Sequence, residues 1–224
     1  FQADDTVLAE QVEPLEETID LMIDTLRERH ILRLKNGVCA IESGIIFLEI
    51  LTNLERISDH SVNLLKAGQE IQEKSIHFSH EAIDDLSVLE AAVQDIVNRT
   101  VDAFQKNDCY AAGKIEPLEQ VVDGLVREVK TRHIARLQAG ACTIEYGFVL
   151  DDLLTNYERI ADHCSNIAVA MIEVSEDRFD THEYLNHIKN GESPSFEKRY
   201  ERYRGRYTFE PGPSGTAAAP EQKK

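Results

Sequence analysis

Four acidic pairs with the spacing E-x-x-x-D are the residues of this chain best suited to do chemistry. A separation of four residues places two side chains on one face of a helix, one turn apart. Two carboxylates placed in this way repel each other by roughly 0.2–0.5 kcal/mol, so a ligand that neutralises them is favoured. The pairs are Glu16 with Asp20, Glu55 with Asp59, Glu119 with Asp123, and Glu158 with Asp162.

The chemistry that these pairs indicate is the binding of hard cations. If two helices pack antiparallel with their acidic rows facing, each half of the chain gathers four carboxylates, and Asn63 or Asn166 extends one row by a turn. Fe³⁺, Mg²⁺, Mn²⁺ and Ca²⁺ prefer such oxygen ligands, and zinc is less well suited. The alternative is a solvated acidic face with local pairs to Arg56 or Arg159. The chain has no Glu-x-x-His pattern, which disfavours a di-iron oxidase.

The histidines fall into two kinds. His30 and His133 continue an apolar stripe, so they are predicted to be core or helix-end residues. His60 and His163 each follow an acidic residue of the pattern, and one step along a helix turns them about 100° away. We expect them to border the cluster or lie on the surface. No Gly-rich phosphate loop, nucleophile elbow or Cys–His pair is evident, so nothing favours catalysis.

The acidic pairs recur because the chain contains an internal repeat. Residues 13–63 and 116–166 share one pattern at a shift of 103 positions, without a gap. The match continues back to the first residue, where FQADD aligns with FQKND of 104–108. In the second copy a helical stretch over 80–105 precedes that segment. We therefore expect this chain to be a fragment whose upstream sequence supplies the matching helix of the first copy.

Each copy is predicted to be helical. Apolar residues recur at spacings of three and four, which is typical of an amphipathic helix. Gly37 and Gly140 are predicted to end the first helix of each pair, and Pro14 and Pro117 to lie in its first turn or to kink it. The predicted helices are 41–68 in the first copy and 80–105, 108–138 and 144–173 in the second. The apolar stripes are Val12, Leu15, Ile19, Met22 and Leu26, and Ile115, Leu118, Val122, Leu125 and Val129.

This organisation predicts an all-α fold of tandem three-helix bundles, in which the first bundle lacks its first helix. The predicted divisions are 1–72 for the first repeat, 79–174 for the second, and 175–224 for a tail that is largely disordered after about 208. A short helix is expected over 181–190. The lost helix should leave an apolar groove, through which the chain could form a homodimer.

Composition excludes several classes of protein. The formal charge of −17 disfavours binding to nucleic acid. No apolar run approaches the 18 residues or more of a membrane span. The four cysteines, Cys39, Cys109, Cys142 and Cys164, form no C-x-x-C pair, so they are interpreted as reduced thiols rather than zinc ligands. A basic, aromatic segment over 196–207 is expected to meet acidic lipid or, preferably, to fold back onto the acidic bundle.

The sequences LERISDHSVNL and YERIADHCSNI, each preceded by an E-x-x-x-D helix, resemble the signature of PhoU domains over about residues 1–173. The resemblance implies tandem three-helix bundles with multinuclear metal clusters, often of iron. It implies a regulatory role in phosphate uptake and no enzymatic activity. By position, the implied ligands are Glu16, Asp20, Glu55 and Asp59 in one copy, and Glu119, Asp123, Glu158 and Asp162 in the other. The change from Asp24 to Arg127 leaves open whether both clusters fill equally.

The tail KNGESPSFEKRYERYRGRYTF resembles the C-terminal end of bacterial sodium/phosphate cotransporters that carry a fused PhoU-like domain. That resemblance implies a domain on the cytoplasmic side of the membrane, with a transporter domain upstream in the same chain as its partner. The alternatives are a free-standing cytoplasmic regulator that acts on a phosphate transporter complex, a carboxylate-bridged metalloenzyme and a purely structural helical adaptor.

Overall fold

The structure, a computed structural model, describes residues 6–176 and 194–210. All its regular elements are helices, so the all-α prediction is confirmed, and the described residues contain no strand. None of these helices combines the length and apolar composition of a bilayer span. The helices are α1 (Thr6–Lys35), α2 (Ile41–Glu73), α3 (His80–Lys106), α4 (Cys109–Ala112), α5 (Glu116–Gln138), α6 (Ile144–Glu176) and α7 (Pro194–Arg206).

Glycine ends the first helix of each hairpin, as predicted. Gly37 has φ +64° and Gly140 has φ +70°, a left-handed conformation that a residue without Cβ adopts at little cost. The amide of Val38 then donates to the carbonyl of Arg33 (3.0 Å), and the amide of Ala141 donates to that of Arg136 (2.9 Å). Each chain reversal is therefore fixed by a hydrogen-bonded C-cap.

The two copies differ where α1 and α5 begin. Pro14 lies inside the 30-residue α1, whereas Pro117 lies in the first turn of α5. The prediction of a single helix over 108–138 was wrong, because the short α4 ends at Ala112, with Gly113 as its C-cap, and α5 starts at Glu116. Gly113 aligns with Glu10 of the first copy, a good helix former. A glycine in place of a glutamate therefore explains the break.

The second copy forms a three-helix bundle of α3, α5 and α6. Tyr157 on α6 donates to Glu90 on α3 (2.9 Å). Asp85 near the start of α3 accepts from Arg132 (3.1 Å) and Arg136 (2.7 Å) near the end of α5, which makes α3 and α5 antiparallel. The fully buried side chains between these helices include Leu89, Ile96, Leu118, Val122, Val129, Leu150 and Leu153.

The largest helix–helix interface joins the two copies, through α2 and α6. These helices run antiparallel, because Asn53 bonds to His163 while His60 bonds to Asn156. The end of α2 accordingly meets the start of α6, where Lys74 lies 3.8 Å from Glu145. The two hairpin turns therefore lie at opposite ends of the molecule.

The basic, aromatic segment forms α7 and packs on the bundle, as the preferred alternative predicted. Arg199 donates to the backbone oxygen of Gly113 (2.7 Å), and Tyr207 donates to Asp95 on α3 (2.9 Å). Arg99 lies over the ring of Tyr203 at 5.4 Å. The helix expected over 181–190 and the tail beyond 210 lie outside the described residues.

Among the described residues, the first copy has an open apolar surface between α1 and α2, where the sequence predicts an apolar groove. Leu15 is 57% exposed and Met22 is 59% exposed, whereas the equivalent Leu118 and Leu125 are 0% and 5% exposed. A cavity of about 490 Å³ lies there. We call it the α1–α2 groove; its apolar lining includes Leu15, Ile19, Met22, Leu26, Leu54 and Ile57.

Equivalent substitutions on α1 and α5 should have unequal effects. Leu125→Ala removes a buried side chain and is expected to lower the free energy of unfolding by about 2–5 kcal/mol. Met22→Ala at the equivalent exposed position should change it by less than about 0.5 kcal/mol. Urea denaturation of both variants measures the difference. Equal losses of stability would contradict the asymmetry of the two copies.

Candidate metal centres

Three of the four predicted carboxylates converge in the first copy. Glu16 and Asp20 project from successive turns of α1, and Asp59 faces them from α2, because the two helices are antiparallel. One oxygen of each residue lies within 4.8 Å of the others. All three residues are partly buried. The first copy therefore presents a compact oxygen site at the seam between α1 and α2.

The fourth residue, Glu55, has a different partner. Its carboxylate accepts from both terminal nitrogens of Arg27, at 3.2 Å and 2.5 Å. Such bidentate pairs are among the stronger charge-assisted hydrogen bonds. Arg27 is also bonded to Thr52 (3.2 Å). The ion pair fixes α1 against α2 and leaves Glu55 beside the cluster of three.

The electrostatics of the first cluster favour a cation. Partial desolvation raises the pKa of Glu16, and the charges of Asp20 and Asp59 raise it further. The pKa of Asp20 is raised by the same desolvation and then by Glu55 and Asp59. The ionised cluster is therefore under like-charge strain, which a bound cation would relieve.

The second copy repeats this geometry. Glu119 and Asp123 on α5 meet Asp162 on α6, again with one oxygen of each residue within 4.8 Å of the others. Glu119 is only 5% exposed. Arg159 donates to Asp162 (3.0 Å) along α6, in accord with the local pairing expected from the sequence. The second cluster thus sits deeper in the protein than the first.

Glu158 lies outside this second group of three, as Glu55 does in the first. Lys130, which replaces Arg27, pairs with Asp151 at 2.8 Å instead of reaching Glu158. Lysine lacks the planar guanidinium group of arginine, which can donate to both carboxylate oxygens of a glutamate. The two sites therefore share three carboxylates and differ in their surroundings.

Sequence reasoning missed a buried acidic residue one turn before Glu119. Glu116 is 5% exposed and accepts a hydrogen bond from Ser165 on α6. Its counterpart in the first copy, Glu13, is exposed. The signal that could have identified it is the serine, since the first copy has Val62 at the equivalent position.

The histidines that follow the acidic pattern join the two copies. His60 Nδ1 lies 2.8 Å from Asn156 Oδ1, and His163 Nδ1 lies 2.9 Å from Asn53 Oδ1. Each asparagine amide nitrogen donates to its own helix, so its oxygen accepts from the imidazole N–H. The two rings stack at 5.5 Å. We call these four residues the His–Asn ladder.

The environment of His163 disfavours its charged form. Burial lowers the pKa of His163, and the neighbouring His60 lowers it further. A neutral imidazole that donates through Nδ1 keeps its hydrogen bond to Asn53 without an added charge. The partners of both histidines in the other copy were not predicted from the sequence, and their expected position at the border of the cluster stays a prediction.

His30 and His133, the second pair of equivalent histidines, lie at the hairpin ends. His30 is 2% exposed and packs against Phe47, with ring centroids 4.6 Å apart, so its predicted core position is confirmed. His133 is half-buried. The sulfur of Cys142 lies 3.8 Å from His133 Nδ1, a Cys–His contact that the sequence analysis did not identify.

The carboxylate clusters fit a hard cation. Two ligands at 2.0–2.6 Å on opposite sides of one ion stand roughly 4–5 Å apart, and the three oxygens of each cluster all lie within 4.8 Å of one another. Asp20 Oδ1 is buried and has no hydrogen-bond partner among the described residues. Such an atom carries a desolvation cost unless something binds it. The residues that would hold the cation are therefore Glu16, Asp20 and Asp59, and Glu119, Asp123 and Asp162.

A family model described as "PhoU domain" matches residues 1–67 and 86–171, which is most of the chain. The chain is therefore a member of the PhoU domain family.

Two individual proteins resemble this chain. The curated "Phosphate-specific transport system accessory protein PhoU homolog 1" of Thermotoga maritima is 23% identical over 147 residues, which span 66% of this chain and 62% of that protein. The crystal structure of PhoU from Pseudomonas aeruginosa superposes with a TM-score of 0.70 at 22% identity, and covers 77% of this chain and 83% of that one. The structural likeness shows a shared fold.

Removal of one charge from the first cluster should stabilise the metal-free protein. In the wild-type protein, folding raises the pKa of Asp20 above its ordinary value of 3.8. The contribution of Asp20 to the free energy of unfolding is therefore fully present below pH 3.8, and it is lost as the pH rises and the carboxyl ionises in the folded protein. Asp20→Asn should therefore raise the free energy of unfolding at pH 7, because it removes one of the mutually repelling charges. The gain should vanish as the pH falls below that ordinary pKa.

Urea unfolding in the presence of a chelator tests this, with Asp84→Asn on the exposed surface of α3 as the matched control. The control should show no such gain. A loss of stability for Asp20→Asn at pH 7 would contradict the like-charge strain.

Proposed function

We propose that this chain is a metal-binding regulatory module of phosphate uptake and has no catalytic activity of its own. The observation that carries the proposal is the duplicated group of three converging carboxylates. Membership of the PhoU domain family and the name of the Thermotoga relative, an accessory protein of phosphate-specific transport, supply the biological context. The chain spans 62% of that relative's length, so the role of the whole protein is part of this proposal.

In this proposal, a bound cation would change how tightly the helices of the module pack on each other. Glu16 and Asp20 repel Asp59 when all three are ionised, and a cation between them turns this repulsion into attraction. Binding would therefore tighten α1 on α2, and α5 on α6. Hard cations are the proposed ligands, with iron the first to test and magnesium, manganese and calcium as the others.

The proposed partner is a phosphate transporter in the membrane. We favour a sodium-dependent transporter whose cytoplasmic part is this PhoU-like domain, because residues 189–209 resemble the C-terminal ends of such transporters. A free-standing PhoU-type regulator is the other form of the same role. In both forms the chain would bias transport without carrying phosphate itself.

Metal analysis tests the binding half of the proposal. The chain, purified without chelator, should contain tightly bound iron or another hard cation. Inductively coupled plasma mass spectrometry measures the bound metal. Asp59→Asn with Asp162→Asn removes one ligand from each cluster and should lower the bound metal by at least about tenfold, because each cluster then keeps two of its three carboxylates.

The matched control is Asp84→Asn with Asp102→Asn, which removes the same charge from the surface of α3. It should retain the metal. Loss of metal from both double variants would mean that the overall negative charge of the chain holds the ion. Loss from neither would mean that another site holds it.

Phosphate uptake tests the regulatory half. In cells that depend on this chain, Asp59→Asn with Asp162→Asn should reproduce the uptake phenotype of its deletion, because the module no longer responds to its cation. Uptake of radiolabelled phosphate measures the effect, and Asp84→Asn with Asp102→Asn should behave as wild type. An altered sodium-dependent uptake would identify the cotransporter as partner, and an altered ATP-dependent uptake would identify a separate transport complex. A deletion without effect on either would contradict the proposal.

A further inference from the structure

The segment that contains α7 is cationic, although the protein as a whole is acidic. Residues 194–207 hold five basic side chains and two acidic ones, whereas the chain has a net charge of −17. The large aromatic side chains of this segment face the bundle, since Phe196, Tyr203 and Tyr207 are all buried. The helix therefore presents its charged side chains to solvent.

The solvent face of α7 carries a row of cations. Lys198 and Arg202 are both exposed and lie one turn apart, on the same side of the helix. Arg204 and Arg206 are 66% and 58% exposed along their side chains. The row extends over roughly 12 Å of helix. The two acidic residues of α7 reduce the charge of this face, but they leave it net positive.

The cationic surface continues onto α4 and the turn that follows it. The Nζ of Lys114 lies 3.9 Å from the ring centroid of Tyr110, and the guanidinium carbon of Arg199 lies 5.6 Å from the same ring. Tyr110 is 71% exposed. Tyrosine is enriched at the headgroup level of bilayers, where its ring and its hydroxyl meet different surroundings. An exposed tyrosine between two cationic groups therefore suits a lipid surface.

We propose that α7, with Tyr110 and Lys114 beside it, binds the headgroups of an anionic lipid bilayer while α7 stays packed on the bundle. Lys198, Arg202 and Arg204 contact the lipid phosphate groups, and the ring of Tyr110 enters the headgroup region. This surface is separate from the carboxylate clusters. It serves a free-standing chain and a chain joined to a transporter equally.

A plane of headgroups fits this surface better than an acidic polypeptide does. The exposed positions within α7 hold charged or small residues, and its large aromatic side chains are buried. Stable protein interfaces are built around buried apolar or aromatic anchors. Several cationic side chains near the surface are enough for binding to anionic lipid. The absence of exposed anchors from α7 therefore favours lipid.

The distribution of charge makes the binding directional. Anionic lipid repels the acidic remainder of the chain and attracts α7. α7 packs on α5 and reaches Asp95 and Arg99 of α3, whereas the first copy packs on α6 through α2. Lipid contact through α7 therefore places the second copy next to the bilayer.

Co-sedimentation of the 224-residue chain with lipid vesicles tests the proposal. A chelator is present, so that no divalent cation bridges acidic residues to lipid. The chain should bind vesicles of phosphatidylcholine that contain about 30% phosphatidylglycerol, and it should not bind vesicles of phosphatidylcholine alone. Salt at about 1 M, where the Debye length is about 3 Å, should release the chain.

A pair of double variants tests the face. Lys198→Glu with Arg202→Glu should weaken binding to the anionic vesicles by about tenfold or more, because two attracted charges become repelled ones. The matched control is Arg29→Glu with Lys35→Glu, which makes the same change in net charge at exposed positions of α1. It should weaken binding by less than about threefold, since distant charges are screened. Circular dichroism melting checks that each variant is folded.

Three results would overturn the proposal. Equal weakening in both double variants would show that net charge, and not α7, governs the binding. Stronger binding after Tyr203→Ala, which loosens α7 from the bundle, would show that a released helix inserts its aromatic face. No binding to anionic vesicles would exclude lipid. A salt-sensitive dimer in sedimentation velocity, abolished by Lys198→Glu with Arg202→Glu, would in that case identify the acidic surface of a second copy as the partner.

These measurements are independent of bound metal and of phosphate uptake. Failure of the lipid proposal therefore leaves the proposed function standing, and failure of the proposed function leaves the lipid surface standing.

Discussion

The antiparallel packing of α2 on α6 is the constraint on which the rest of the molecule depends. Each of these helices carries the third carboxylate of one cluster and, next to it, a histidine of the His–Asn ladder. The reciprocal bonds from His60 to Asn156 and from His163 to Asn53 fix their register, since a shift of one turn would break both. Because Asn53 is 6% exposed, an unmade bond there would leave a buried polar group unsatisfied.

Much of this arrangement could be predicted from the sequence, because it depends on local periodicity and on the repeat. Spacings of three and four gave the apolar faces of α1 and α5, and the equivalent positions of Gly37 and Gly140 gave the two turns. Carboxylates one turn apart on adjacent helices could then meet, provided that the acidic rows faced each other. The structure has this arrangement, since it brings Glu16 and Asp59 together.

The sequence could not show which of the four carboxylates in each copy would lie outside the group of three. Glu55 is held by Arg27, 28 positions away, and the choice between a cation and a guanidinium depends on side-chain reach across two helices. The His–Asn ladder joins residues 96 and 110 positions apart, for which periodicity gives no signal. The break before α5 could have been predicted, because Gly113 stands in the sequence at that point. It was missed because the similarity of the two copies favoured one continuous helix in both.

The opposed directions of α2 and α6 also set the overall dimensions of the protein. Each helix has 33 residues, so each is about 50 Å long, and they lie side by side with their hairpin turns pointing away from each other. Asp59 and Asp162 lie near the centre of this rod, and the turns at Gly37 and Gly140 form its two tips. A partner that touched one tip would be roughly 25 Å from either carboxylate cluster. If an ion bound at either cluster, its effect would have to pass along the helices, as a change in their tilt or axial position, to reach the two ends.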